Sequence, residues 1–337
     1  MSVRDLLIVG AGPSGLSAAI AAKQRGLDYQ VLEQGVLVNS IYRFPPQLVF
    51  FTTPELLEIG GLPFVSPYEK PTRVEALRYY RKVVDTYDLL IAFGEKVLSI
   101  AREGGANGPF AVDTRTSGAV RRVRHAMNVV LAIGYYDHPN ALNVPGEDLP
   151  HVHHYYAEPY AYYRQRVVVV GGGNSAAEAA LELFRAGAHV TLVHRGAEMK
   201  STIKYWVRPD LENRIKAGSI AARFNASVTA IGPASVVVRS ASPDSPDSST
   251  FGTEELPAEA VFLLTGYRAD ADLMVGAGVA LNAREAPTCD PETFETNVPG
   301  LFVAGGAVAG VDTGRIFIEN GRFHGEKIVQ VIAGRMR

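Results

Sequence analysis

Twice along this chain a short β-branched run turns on a cluster of glycines, passes straight into an Ala/Leu-rich helix and enters a second strand. Residues 5–35 read DLLIVGAGPSGLSAAIAAKQRGLDYQVLEQG, and residues 166–196 read RVVVVGGGNSAAEAALELFRAGAHVTLVHRG. Each helix ends near a glycine, Gly26 or Gly187. A strand, a crossover helix and a parallel strand form a βαβ unit, whose sheet is buried under helices. Two such units predict an α/β fold with two Rossmann-like dinucleotide-binding domains.

The turns carry the chemistry. In the first, Gly10 permits the tight bend, Gly12 lets the backbone approach a pyrophosphate, and Gly15 lets the helix pack on the strand. Pro13 and Ser14 open the helix, whose free N–H groups and positive dipole end face the phosphates. Glu33 closes the following strand, where an acid accepts hydrogen bonds from an adenosine ribose, and Gln34 follows it. A glycine pattern that follows a strand, opens a helix and has its acid in place is a strong signal.

In the second turn, Gly171, Gly172 and Gly173 are followed by Asn174, Ser175 and Ala176, with alanine at the third glycine position. Its strand closes on His194 and Arg195 rather than on an acid. A ribose 2′-phosphate is repelled by a carboxylate and held by a guanidinium, so this site is expected to prefer NADPH. Lys200 and Lys204 are further candidate phosphate partners, with solvated surface charge as the plain alternative. Two dinucleotide sites in one chain imply a flavin beside a nicotinamide: FAD in the first, NADPH in the second, with the cofactors supplying the redox chemistry.

The strands ending at Gly134 (MNVVLAIG) and Gly266 (AVFLLTGY) bracket the second unit. The simplest organisation inserts an NADPH-binding domain, 135–266, into an FAD-binding domain built from 1–134 and 267–337. The stretch EALRYYRKVVDTYDLL predicts an amphipathic helix, residues 101–123 predict hairpins, and GLFVAGGA predicts another buried strand. The polar segment 240–255 predicts a surface tip, and residues 313–334 predict one helix packed back on the first domain. Among 337 residues the net charge is −2, which disfavours a nucleic-acid partner. No secretory signal or membrane-length apolar run is present, so a cytoplasmic location is expected. The single cysteine, Cys289, excludes an internal disulfide or Cys-x-x-Cys pair, and no metal-ligand spacing occurs.

The order GAGPSG, LAIG, GGGNSA with HR, LTGY and VPGLFVAGG resembles the low-molecular-weight thioredoxin reductases over nearly the whole chain. Where those proteins carry Cys-x-x-Cys, this chain has His154-Tyr155-Tyr156-Ala157. The stretches NSIYRFPPQLVFFTTPELLEIGGLPF, EALRYYRKVV, GYYDHPN, HHYY and RIFIENGRFHG are similar to one branch without the dithiol, the YpdA-type bacillithiol-disulfide reductases. That resemblance implies FAD- and NADPH-dependent reduction of a low-molecular-weight thiol's disulfide in bacterial cytoplasm by a homo-oligomer. By position it implies Ser40, Ile41, Tyr42, Phe51 and Thr52 beside the flavin. Gly134, Gly266 and Gly305 join the cofactor sites, and Arg315 and Ile316 through Ile318, opening the last helix, offer backbone N–H groups to the flavin's pyrimidine edge.

Two departures stand out. That branch often carries cysteine, proposed as the redox thiol, where this chain has Ser14. A hydroxyl cannot perform thiol–disulfide exchange, so Ser14 is expected to hydrogen-bond an FAD phosphate instead. Gly306 replaces the aspartate that thioredoxin reductases place on the ribityl chain, with Asp312 as the nearest substitute.

For acid–base work the candidates are His154 and Tyr136, with Tyr135, His138 and His153 near them; the alternative for each is packing. His324 is either structural or directed at a partner subunit's flavin. Two other functions compete. One is an NADPH-dependent reductase of a protein electron carrier, ferredoxin or flavodoxin, although no C-terminal extension with a flavin-stacking aromatic is evident. The other is a non-catalytic NADPH-sensing flavoprotein.

Overall fold

A computed structural model describes residues 3–105, 107–241 and 251–336. The centre of the expected surface tip, 242–250, lies outside the described residues. The chain divides into two compact units, Met1–His138 with Tyr267–Arg337, and Pro139–Gly266.

The first unit is built on a parallel sheet of Ile91–Phe93, Tyr29–Glu33, Arg4–Val9, Arg121–Leu131 and Leu301–Val303. Leu6–Val9, Val129–Leu131 and Leu301–Val303 are unbroken apolar runs because helices and loops cover both faces there. Leu6, Ile8, Val31 and Phe302 enter one core, while Leu7, Val9, Leu32 and Val303 enter the other. Helix Pro13–Gln24 covers the first face together with Arg73–Tyr87 and His324–Arg335. The 73–87 helix begins at a capping box in which Thr72 and Glu75 bond reciprocally. Close packing of the first and last helices depends on Gly325, since a β-carbon there would collide with the Ala18 backbone.

The region read as hairpins is an antiparallel pair, Glu95–Arg102 with Phe110–Thr116, continuing onto the first half of Arg121–Leu131. The C-terminal segment is not one helix. It divides into Ile318–Gly321 and His324–Arg335, and Arg315 to Phe317 precede any helical turn. Asn320 fixes the start of the first: its Oδ1 accepts the Phe317 N–H at 2.8 Å, and its amide donates to the Arg315 carbonyl at 2.9 Å; the turn at Arg322 and Phe323 separates the two helices.

The second unit repeats the plan. Its sheet order is Ala221–Arg223, His189–Val193, Arg166–Val170, Ala260–Leu263 and Val152–His153, all parallel. Helix Asn174–Arg185 packs on one face, and an antiparallel meander, Ala226–Ile231, Ser235–Ala241 and Phe251–Pro257, contributes to the core on the other. In both units the glycine turn leaves a strand flanked by neighbours on both sides, the switch point at which open α/β sheets bind ligands.

A buried ion pair holds the first unit's antiparallel extension. Glu95 is 2% exposed; its carboxylate receives two hydrogen bonds from Arg124, at 2.6 and 2.7 Å, and one from the Thr114 hydroxyl at 2.6 Å. These donors hold the carboxyl below its ordinary range, Arg124 first among them. Glu95→Gln is expected to lower the urea-unfolding free energy at neutral pH by about 1–3 kcal/mol. The stabilisation is present above the unfolded carboxyl's pKa and is lost as pH falls through the depressed folded value, so the difference from wild type should shrink in acid. A difference independent of pH would contradict the assignment.

Candidate cofactor and active site

The first glycine turn is closed on every side but one. Gly10 has φ of +105°, and a β-carbon on it would strike the Ala132 carbonyl oxygen. A β-carbon on Gly15 would collide with the Gly10 carbonyl, so the helix can start there only without a side chain. At Gly12 a β-carbon would meet nothing within 4 Å. That opening lies at the start of Pro13–Gln24, where the first N–H groups lack helical acceptors. The residues fit a pyrophosphate: a backbone that can be approached, beside a helix N-terminus.

Glu33 shapes the turn from behind. It is 5% exposed; Oε2 accepts the Ala11 N–H at 2.8 Å and Oε1 accepts the Gly35 N–H at 2.7 Å. Burial pushes its carboxyl above the ordinary range, although these two bonds oppose the shift. Each oxygen keeps a further lone pair for a ribose hydroxyl.

A cleft of about 1280 Å³, its solvent-open part included, runs through the first unit. Its wall contains Gly10, Gly12, Pro13, Ser14, Glu33, Gln34, Ser40, Ile41, Gly134, Tyr136, Gly305 and Ile316. Tyr42, Phe51, Thr52, Gly266 and Arg315 are not among the described residues that line it. Tyr42 and Phe51 are more than half exposed and pack under the Arg73 and Lys70 cations, whereas Thr52 is buried. Arg315 lies exposed in the turn before Ile316. Gly266 closes the second unit.

The wall also holds residues that motif reading did not single out: Val38, Glu95, Lys96, Asp137 and Asp270. Asp137 accepts from Gln34 at 2.9 Å and from Arg43 at 2.6 Å, tying the strand end after Gly134 to the one after Glu33. His138 Nε2 stands 3.5 Å from Asp270 Oδ2. Only the GYYD stretch after a strand-ending glycine pointed here; Lys96 arrives through hairpin register, which has no local signature.

Ser14 has one hydroxyl proton and donates it to the Gly321 carbonyl at 3.0 Å. Its hydroxyl therefore ties the first helix to the C-terminal segment, which leaves anion binding to the backbone N–H groups. Asp312 lies beside Arg284 at 3.4 Å and is not among the described lining residues, so it does not stand in for a side chain at 306. Tyr136 is 8% exposed, with its ring 4.9 Å from Phe44 and 4.5 Å from Tyr267 between centroids. It borders the cleft chiefly as packing.

In the second unit Gly173 opens on free space, while a β-carbon on Gly171 would strike the Leu264 carbonyl. Asn174 braces the turn from within the chain: its Oδ1 accepts the Lys204 N–H at 2.8 Å and its amide donates to the Thr202 carbonyl at 3.2 Å. Ser175 and Ala176 continue the helix. The His194 ring lies against Gly172 and Gly196, and burial lowers its pKa, with Lys200 and Arg195 adding to the shift. Arg195 and Lys200 are exposed. Lys204 is neither a solvated charge nor a free phosphate partner, because it is 6% exposed and its ammonium sits 2.5 Å from Glu178. His154 Nε2 lies 3.7 Å from Glu147, and His153 packs on Phe262 within the same unit.

Two strand–glycine–helix sites on a doubled α/β scaffold define a pyridine-nucleotide flavoprotein. The chain belongs to the pyridine nucleotide-disulphide oxidoreductases, whose family model matches residues 7–305, and it is an oxidoreductase working with FAD and NADPH. It is 41% identical, over 98% of its length and 97% of the relative's, to the bacilliredoxin reductase Bdr of Bacillus subtilis. Among solved structures it is similar to the bacillithiol disulfide reductases Bdr (YpdA) of Bacillus cereus and Staphylococcus aureus. The first is 37% identical with a TM-score of 0.93, covering 99% of this chain and 100% of that one. The second is 37% identical with a TM-score of 0.92, covering 100% of both.

His324 serves the site from behind. It is 7% exposed and stacked on Phe294, and its Nδ1 accepts the Gly305 N–H at 3.2 Å. Burial, helped by Lys327, lowers its pKa from 6.5 to about 4. The unfolded chain takes up this proton near its ordinary value, whereas the folded protein stays neutral down to about 4. Stability therefore falls as pH drops between the two, by on the order of 3 kcal/mol, and levels off below. His324→Gln, whose amide oxygen can accept the same N–H, is expected to remove this part of the pH slope of urea-unfolding free energy. An unchanged slope would rule the assignment out.

Proposed function

We propose that this protein reduces the disulfide of a low-molecular-weight thiol of the bacillithiol type, with FAD held in the first unit and NADPH on the second. The carrying observation is the pair of strand–glycine–helix turns, the first opening on a cleft that fits a dinucleotide; the described lining residues of that cleft include no thiol. Cys289, the chain's single cysteine, is not among them; burial and the nearby Asp290 raise its pKa, and position 14 carries a hydroxyl. The relatives' names support the substrate class, two for bacillithiol disulfide and one for bacilliredoxin.

When bound, FAD would supply the two-electron redox chemistry between nicotinamide and disulfide, with the overall balance that NADPH, a proton and one disulfide give NADP⁺ and two thiols. The chain's part is to bind and orient. Gly10, Gly12, Pro13 and Ser14 present backbone to the FAD pyrophosphate, Glu33 receives a ribose hydroxyl, and Gln34, Ser40, Ile41, Gly134, Gly305 and Ile316 wall the cofactor. The Phe317 N–H is already committed to Asn320, so the flavin's edge is left to its neighbours in that segment. With one cysteine the chain supplies no dithiol to store electrons, so the cofactor would have to supply the reducing chemistry to the substrate disulfide itself. In the second unit Gly171, Gly173 and the start of the 174–185 helix receive the NADPH pyrophosphate, and Arg195, aided by Lys200, receives the 2′-phosphate. The same likeness leads us to infer a cytoplasmic homo-oligomer; none of the described helices is long and apolar enough to cross a membrane.

Mixing FAD-loaded protein with NADPH should bleach the flavin, and bacillithiol disulfide should restore its colour with continued NADPH consumption. Turnover through ferredoxin or flavodoxin but not through the disulfide would overturn the substrate assignment. Bleaching without turnover of any acceptor would leave an NADPH sensor.

A second expectation concerns the nucleotide. Arg195→Ala should raise KM for NADPH about 10- to 100-fold, the range for losing a charge-assisted contact, and leave KM for NADH unchanged. Equal losses with both nucleotides would remove Arg195 from the 2′-phosphate site.

A further inference from the structure

Gly306 lies in the cleft wall with no backbone reason to be glycine, because its φ falls outside the left-handed region. The reason is steric. A β-carbon there would meet Tyr135 Cδ1 at 2.5 Å and Cε1 at 2.7 Å. The ring of Tyr135, itself a cleft residue, occupies the slot that the missing side chain leaves. This slot adjoins the phosphate turn, since a β-carbon on neighbouring Gly305 would meet Ser14 Oγ at 2.5 Å.

The hydroxyl is the second observation. Buried phenols of the same unit are engaged: Tyr79 donates to the Leu62 carbonyl, Tyr80 to the Leu57 carbonyl, and Tyr29 accepts the Leu90 N–H. Tyr135 makes no hydrogen bond to any described residue. Burial and the charge of Glu319 raise its pKa, so it keeps its proton and remains a donor. Tyr135 is half-buried, so its unengaged hydroxyl is open to a ligand that enters the cleft.

Resting on the FAD assignment above, we propose that Tyr135 is a cofactor-positioning residue. Its ring is seated against Gly306, and its hydroxyl donates to an oxygen of the sugar–phosphate chain of the dinucleotide. Gly306 and Tyr135 then work as a pair: the glycine admits the ring, and the ring brings the donor to the cleft beside the phosphate turn.

The test measures flavin released from FAD-loaded protein on dilution, read by the fluorescence of free flavin, with thermal melts to confirm folding. Tyr135→Phe keeps the ring and removes the donor; it is expected to weaken FAD binding about three- to tenfold. Gly306→Ala, which must displace the ring, should weaken it at least as much. In a Tyr135→Ala background, where no ring fills the slot, Gly306→Ala should change affinity less than about twofold. The proposal is overturned if Tyr135→Phe holds FAD within about twofold of wild type. It is equally overturned if Gly306→Ala does as much harm without the ring as with it. Should Gly306→Ala alone fail to fold, Tyr135→Phe and the double variant decide the matter. Wild-type protein that takes up no FAD would instead defeat the cofactor reading itself, whereas FAD retained equally by wild type and Tyr135→Phe defeats only this step.

Discussion

The Glu33 carboxylate is the interaction on which the first unit depends. A buried acid is unfavourable unless its lone pairs are used. Here both oxygens are, each accepting a backbone N–H from the segments it joins, Ala11 in the phosphate turn and Gly35 after the second strand. The fixed turn then organises the adjoining wall of the cleft. The Ala11 carbonyl accepts the Val38 N–H at 3.1 Å, and Val38 adopts a left-handed φ of +47°. A β-branched residue resists that conformation, so the surrounding bonds must hold it there. Ser40 and Ile41 come immediately after and reach the cleft. One carboxylate thus sets the phosphate turn and, one hydrogen bond further on, the segment beside it.

The C-terminal segment completes the site from the opposite direction in sequence. Ser14 bonds Gly321, His324 receives the Gly305 N–H, and Gly325 lets the last helix lie against the first. The Ser14 bond joins residues 307 positions apart around the phosphate turn. It also gives position 14 a structural task. A serine there fastens the helix start to the C-terminal segment, a use of the side chain that needs no thiol chemistry. On the function proposed above, the disulfide chemistry would rest on the cofactors and the substrate's own sulfurs.

Much of this was legible along the chain, and the parts that were not have common physical causes. Turn geometry is local, so Gly10, Gly12, Gly15 and Glu33 could be placed from spacing. Positions assigned through longer-range likeness fared unevenly: Ser40 and Ile41 line the cleft, while Tyr42 and Phe51 turn to solvent beneath Arg73 and Lys70. Lys204 was read as a phosphate partner or a solvated charge, yet the partner that buries it, Glu178, lies on the helix after the second glycine turn, 26 residues earlier in sequence. The C-terminal region was read as one helix from residue 313, but the Asn320 side chain takes the Phe317 N–H and so caps a helix that begins only at Ile318.

By itself the amino-acid sequence determined the two βαβ units, the phosphate turns and the absence of a redox dithiol. Each comes from local backbone sterics or from a count of residues. Only the tertiary structure decided where single side chains spend their hydrogen bonds and contacts: the Ser14 proton on Gly321, the Lys204 ammonium on Glu178, and the Tyr135 ring over Gly306. Those outcomes depend on which distant backbone happens to lie within about 3 Å of a polar atom, and hydrogen-bond reach is set by packing rather than by order along the chain.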